Sequence, residues 1–170
     1  ALYAGDLERA QTTLEEGLGI ARESQSRTGM AFALLYLAQL ALGQTDLSKA
    51  ASFLREGLGL QRAFDEEGTG VRYLATSAAL LCAQPDAVCA ATLIGAIAGL
   101  CESAGIRLPP AYLGRHAVIV SATRARLDEQ TFRAAFARGY TMTMAQAFDF
   151  ALENSAAGIA RAIASSGRSG

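Results

Sequence analysis

The stretch TDLSKAASFLREGLGL, residues 45–60, decides the fold of this chain, because it repeats the stretch GDLERAQTTLEEGLGI of residues 5–20. The two stretches align at an offset of 40 residues without a gap. A weaker third copy follows at the same offset, with PDAVCA at residues 85–90 and IGAI at residues 94–97. Self-similarity at a fixed period of about 20–50 residues indicates a protein built from stacked structural units.

Each copy has the apolar spacing of an α-helix. In the second copy, Leu47, Ala51, Leu54 and Leu58 recur every three or four residues and form one apolar face. The segments that precede the second and third copies, residues 34–41 and 74–81, also match each other. Each unit is therefore predicted to be a pair of helices, which lie near residues 6–24, 27–43, 46–63, 69–83 and 86–104.

An aspartate stands just before each of the three apolar runs, at Asp6, Asp46 and Asp86. An aspartate there is typical of an N-cap, whose carboxylate accepts hydrogen bonds from the free N–H groups of the first helical turn. The residues ahead of Asp6 are predicted to be the last turn of a helix and a loop, and we expect the natural protein to extend upstream.

Small residues recur at matching positions of the copies, and we expect neighbouring helices to approach closely there. A glycine inside a helix costs roughly 1 kcal/mol relative to alanine, so close packing is the simplest reason for it. These residues are Ala10, Ala50 and Ala90, together with Gly17, Gly19, Gly57 and Gly59.

A different pattern begins with GIRLPP at residues 105–110, because each proline disfavours α geometry in the residue before it. Helices are predicted near residues 110–126, 128–139 and 143–153, the last continuing toward residue 164. Asp128 is placed to cap the second of these and Gly139 to end it, while Thr143 and Gln146 have the spacing of a capping box.

Two resemblances follow from these motifs. The GDLxxA pattern of residues 5–10 resembles the linker and second helix of the tetratricopeptide repeat (TPR), although the usual period there is about 34 residues. The C-terminal half resembles the C-terminal region of large bacterial multidomain ATP-binding transcriptional regulators of the LuxR and AfsR kind. That second resemblance is carried by residues 91–96, 102–105, 108–110, 127–139 and 142–152.

The resemblance covers residues 5–153 and implies a sensor or protein-interaction arm, with nucleotide hydrolysis and DNA binding in other domains. A cytoplasmic location is expected on a separate ground, because the sequence predicts neither a membrane span nor a signal peptide. This sequence departs from the family after Gly95, where an acidic residue and an arginine are common but residues 97–101 are IAGLC. A ligand role carried by those charged groups is therefore not expected here.

The predicted fold is all-α, a right-handed superhelical stack of antiparallel helix pairs with a period of about 40 residues. Residues 1–104 form the TPR-like repeats. Residues 105–164 form a helical cap on the last repeat within the same domain, and residues 165–170 form a flexible tail.

Composition argues against nucleic-acid and membrane partners. The net charge of −1 gives no overall attraction to phosphate backbones or to anionic lipid surfaces. No uncharged run reaches about 18 apolar residues, and residues 1–20 carry several charges, so neither a membrane span nor a signal peptide is predicted.

No motif predicts catalysis, a metal site or a cofactor. The single histidine, His116, cannot form a two-histidine metal site and is predicted to lie on a helix surface. Cys82, Cys89 and Cys101 lack metal-site spacing and are interpreted as small buried apolar residues. The carboxylate groups at residues 15–16 and 65–67 keep open an alternative, a helical enzyme that uses a carboxylate pair.

The first helix of each predicted pair is expected to line a concave groove that binds a protein or peptide. Six residues are predicted to face this groove: Phe32, Tyr36, Gln39, Arg72, Tyr73 and Thr76. In the other interpretation, Phe32 and Tyr36 simply pack against an adjacent helix.

The predicted function is a noncatalytic interaction or sensor module of a transcriptional regulator, whose partner is a protein, a peptide or another domain of the same chain. Two alternatives stay open, a receptor for a small-molecule inducer and a self-association scaffold. In the scaffold, an unpaired helical face within residues 1–20 promotes a homodimer.

Overall fold

The computed structural model describes residues 2–63 and 67–167, and that part of the chain is all-α, as predicted, with no β-strand. The described residues form eight helices, which follow one another through short connections. They are α1 (Leu2–Glu23), α2 (Arg27–Gly43), α3 (Leu47–Ala63), α4 (Glu67–Cys82), α5 (Ala87–Ala104), α6 (Pro110–Ala125), α7 (Glu129–Tyr140) and α8 (Met144–Ser166).

Polar side chains begin the helices much as the sequence indicates. The carboxylates of Asp46, Asp86 and Asp128 accept from backbone N–H groups of the first turns of α3, α5 and α7, at 3.1, 3.0 and 2.8 Å. Thr143 and Gln146 exchange side-chain and backbone hydrogen bonds at the start of α8. The caps and the capping box predicted at these positions are therefore confirmed.

The first copy of the repeat departs from its prediction. Asp6 lies inside α1 and does not cap it, because the helix already begins at Leu2 and residues 2–5, where a loop was predicted, are helical. Ala10 is exposed, whereas Ala50 and Ala90 are fully buried as expected. Leu7 and Ile20 on the same helix are exposed too, since α1 packs mainly on α2. Close helix contact at Ala10 was a wrong prediction.

Successive helices from α1 to α5 pack against one another, and α4 lies at the centre of the described chain. It contacts α2, α3, α5, α6 and α8, and much of the apolar core lies on its faces. Leu74, Leu80 and Leu81 of α4 are essentially without solvent exposure. Burial of such side chains is worth about 1.5–3 kcal/mol each, so α4 contributes substantially to the stability of the core.

Helices α5 and α7 have the most extensive contact in the described chain, and glycines allow their backbones to touch. A Cβ added at Gly95 or Gly99 of α5 would overlap the carbonyl of Phe136 or Tyr140 of α7. A Cβ at Gly139 would overlap the Thr92 carbonyl. Gly139 therefore serves this contact and lies within α7, so the prediction that it ends the helix is wrong.

Close packing at the repeated glycines holds for one of the four. Gly57 leaves room for the ring of Tyr73, which lies where its Cβ would be. Nothing lies within 4 Å of a Cβ added at Gly17, Gly19 or Gly59. Among the described residues, a side chain at any of those three positions would touch no neighbouring helix, and nothing in the structure explains these glycines.

The helices after residue 105 pack on several of the earlier ones. Helix α6 lies on α4 and α5, α7 lies on α5, and α8 runs across α3, α4 and α5. Arg126 donates to the carbonyls of Cys82, Gln84 and Pro85, which fastens the end of α6 to the α4–α5 connection. Helix α8 continues to Ser166, so residues 165–166 of the predicted tail are helical, and residues 168–170 lie outside the described chain.

One helix of the described residues, α5, is long and apolar enough to cross a membrane. Its residues are mostly buried among the other helices, and a core helix has the same composition.

Candidate ligand-binding cleft

A cleft of about 470 Å³ opens between the C-terminal half of α2, the C-terminal half of α4 and α6. Sites for small molecules commonly have volumes of about 300–1,000 Å³ and mostly apolar walls with a few polar groups. The walls of this cleft have that character. Apolar lining comes from Leu42, Gly43, Leu47, Ala75, Ala79, Ala83, Val118 and Ile119, and polar lining from Gln39, Thr45, Thr76, Tyr112, Arg115 and His116.

The polar end of the cleft is ordered by a hydrogen-bond chain that joins its three helices. The Thr76 hydroxyl donates to the carbonyl of Arg72, one turn earlier in α4, at 2.9 Å. The Gln39 side-chain amide of α2 donates to Thr76 Oγ1 at 3.4 Å and to Tyr112 Oη of α6 at 2.6 Å. These hydrogen bonds fix the position of Tyr112 at the polar end of the cleft.

Arg72 lies between two aromatic rings beside that chain. Its guanidinium carbon is 5.9 Å from the centroid of the Phe32 ring and 5.8 Å from that of the Tyr112 ring. These distances permit cation–π attraction, which strengthens when water is excluded. Arg72 therefore helps to hold α6 against α2 and α4, and it keeps a positive charge next to Tyr112.

Five of the six residues predicted to face the groove lie along this α2–α4 surface. Gln39 and Thr76 line the cleft, and Phe32 and Arg72 form the stack beside it. Tyr36 is 45% exposed. Tyr73 is fully buried, and its hydroxyl donates to the Ala31 carbonyl at 2.6 Å. The prediction that Tyr73 faces a groove is wrong, because its side chain points instead toward Gly57 of α3.

The third wall of the cleft, formed by α6, was not predicted from the sequence. Tyr112, Arg115 and His116 belong to α6, which was predicted to be part of a cap on the last repeat. The Pro109–Pro110 pair does predict where α6 begins. Nothing in the local pattern indicates that this helix returns as far as Gln39, because such long-range placement depends on the packing of the whole array.

His116 also departs from its prediction as a surface residue. Its side chain is half-buried in the wall of the cleft, and its Nδ1 atom is buried without a hydrogen-bond partner in the described chain. Desolvation by burial lowers the pKa of His116 from the ordinary value of 6.5. The folded protein therefore favours the neutral imidazole.

Acid should weaken the docking of α6 through His116. The unfolded state takes up the imidazole proton at a higher pH than the folded state, so this group reduces stability as the pH falls through 6.5. Urea unfolding at neutral and mildly acidic pH measures the free energy of unfolding. Acid should lower that free energy less in His116→Gln than in the unmutated protein. Equal losses in the two proteins would show that this imidazole is not desolvated.

The other groups considered for chemistry are dispersed. Cys82, Cys89 and Cys101 form no disulfide within the described chain and are only partly buried, which modifies their interpretation as fully buried residues. Glu15 and Glu16 are exposed on α1, and residues 65–66 lie outside the described chain. Within the part of the chain that the structure describes, no three histidine, cysteine or acidic side chains are grouped as metal ligands.

The cleft defines the class of site, an apolar pocket with one polar end inside an all-α domain. No family model, curated protein or solved structure matches this chain.

Proposed function

We propose that this chain is a noncatalytic binding domain that holds a small molecule in the cleft between α2, α4 and α6. The observation that carries the proposal is the cleft itself, with its volume of about 470 Å³, its apolar walls and its ordered polar end. Those features match small-molecule sites in general. Of the functions that the sequence left open, the inducer receptor is therefore preferred.

The position of α6 argues against a peptide in the same place. Tyr112 of α6 already contacts Gln39 and Arg72, two of the residues expected to hold a peptide. A peptide lying along α2 and α4 would have to displace this helix and break those contacts. A small molecule needs only the space that α6 leaves open.

The resemblance to bacterial regulators supplies the proposed setting. In this proposal the helix pairs stack in the right-handed superhelix of tetratricopeptide repeats, and contact between α2 and α4, the first helices of successive pairs, supports that arrangement. The cleft joins two repeats to a helix beyond them. A bound ligand would then change the position of α6 against α2 and α4, and this change would signal to other domains of a regulator.

Filling the cleft tests the proposal directly. Ala79 lines the cleft and is partly exposed, so the ring in Ala79→Phe can occupy the space without entering the core. A thermal-shift screen against metabolites should find a compound that raises the melting temperature of the unmutated protein in a dose-dependent manner. The same compound should give no shift with Ala79→Phe.

A matched control is Ala117→Phe, which adds the same ring at an exposed position of α6 that does not line the cleft. This variant should retain the shift. A shift that persists in Ala79→Phe would place the ligand outside the cleft and refute the proposal.

A protein or peptide partner remains the second candidate because of one observation. Tyr36 exposes 45% of its surface beside the stack of Phe32 and Arg72, and exposed aromatic residues often anchor protein interfaces. This edge lies outside the cleft, so the candidate predicts a partner whose binding is insensitive to Ala79→Phe.

A further inference from the structure

We infer that the ligand of the cleft is an amphipathic organic carboxylate, whose head group accepts a hydrogen bond from the Tyr112 hydroxyl and lies beside Arg115. The inference rests on the proposed function and names the chemical class of its ligand. Two independent observations support it, the direction of the hydrogen bonds at the polar end and the charge of the lining.

The donor and the acceptor in each hydrogen bond of the polar end follow from the protons that Thr76 and Gln39 carry. Thr76 has one hydroxyl proton, which goes to the Arg72 carbonyl, so its oxygen can only accept from Gln39. The Gln39 group that faces Thr76 is therefore the NH₂ group, and its second proton goes to Tyr112 Oη.

Tyr112 is consequently an acceptor toward Gln39 and keeps its own proton for another partner. No acceptor for that proton is found among the residues that the structure describes. Burial raises the pKa of Tyr112, so the hydroxyl stays protonated at neutral pH. The chain thus ends in a donor at the wall of the cleft, where a ligand oxygen can accept.

The charge around this donor is positive. Arg115 lines the cleft and Arg72 stacks on the Tyr112 ring, and neither forms a salt bridge within the described chain. The described lining contains no Asp or Glu. A neutral acceptor would satisfy the Tyr112 hydroxyl alone. A carboxylate would also form an ion pair with the guanidinium of Arg115.

The rest of the cleft fits an apolar body. Leu42, Leu47, Val118 and Ile119 line the space with aliphatic carbon, and the small side chains of Ala79 and Ala83 leave room for a chain or a flat ring. Apolar contact with these walls provides affinity without demanding further polar groups on the ligand. The ligand therefore carries its charge at one end.

Matched acids and amides test the inference by isothermal titration calorimetry. The probes are octanoate and naphthoate, each compared with its neutral amide, octanamide or naphthamide. The unmutated protein should bind each acid about fivefold more tightly than its amide, the range of an exposed ion pair. Arg115→Gln should remove this preference, and Tyr112→Phe should weaken acid binding about tenfold.

Arg9→Gln is the control, because Arg9 is an exposed arginine on α1 whose side chain forms no ion pair within the described chain. It should keep the preference for acids. Equal affinity for acids and amides in the unmutated protein, or a preference that survives Arg115→Gln, would overturn the inference.

The proposed function can fail separately. If neither acid binds but a neutral compound from the screen does, and Ala79→Phe abolishes its binding, the cleft is a ligand site and only the carboxylate assignment is wrong. If acids bind Ala79→Phe and the unmutated protein equally, the cleft is not their site and the carboxylate inference is refuted. The proposed function is refuted as well only if the compounds from the screen also bind Ala79→Phe.

Discussion

Replacing Gly139 with alanine should destabilise this protein by about 3 kcal/mol, although the change adds a single methyl group. The new Cβ would overlap the carbonyl oxygen of Thr92, and this atom belongs to the backbone of α5. A rigid backbone cannot move aside as a flexible side chain can. Helices α5 and α7 must therefore separate and lose part of their buried contact, which is the most extensive in the described chain.

Gly114→Ala provides the matched control, since it makes the same change inside α6 with nothing within 4 Å of the new Cβ. That variant should be unchanged or more stable by up to about 1 kcal/mol, because alanine favours the helix. Urea unfolding followed by circular dichroism measures both. If Gly139→Ala were as stable as Gly114→Ala, the backbones of α5 and α7 would not be in direct contact.

Tyr73→Ala should lower the free energy of unfolding by about 4 kcal/mol, which is typical for the removal of a buried aromatic ring. The ring is fully buried and fills the space left by Gly57, and its hydroxyl donates to the Ala31 carbonyl of α2. One side chain thus joins α2, α3 and α4. Its loss leaves a cavity where those helices meet.

Tyr36→Ala is the control, because it removes the same ring from an exposed position and should cost no more than about 0.5 kcal/mol. Tyr73→Phe isolates the hydroxyl and should cost about 1 kcal/mol. If Tyr73→Ala and Tyr36→Ala lowered the free energy of unfolding by similar amounts, Tyr73 would not be a core residue.

These two tyrosines mark a limit of sequence-based prediction. Both were predicted to face the same groove, since each lies in the first helix of a predicted pair and close to the aligned stripe. Helical periodicity identifies residues that share a face, but it leaves ambiguous those at the border between faces. Tyr73 is at such a border, and the missing side chain of Gly57 admits it to the interior.

The polar residues of the cleft that lie on α2 and α4 were predictable from the sequence, whereas those on α6 were not. Gln39, Arg72 and Thr76 follow from the repeat, because the 40-residue offset aligns the first helices and shows which polar residues interrupt their apolar faces. Tyr112, Arg115 and His116 do not follow from it. Their helix lies outside the repeat, so no alignment within the chain indicates what it touches.

The sequence by itself determined the eight helices and most of their boundaries. These depend on local physical chemistry, namely apolar spacing, the caps at Asp46, Asp86 and Asp128, and the break at Pro109–Pro110. The tertiary structure alone decided the seating of α6 against α2 and α4 and the glycine contact between α5 and α7. Each of these two contacts joins residues far apart in the chain. Which helix surfaces meet is decided only when all the helices pack together.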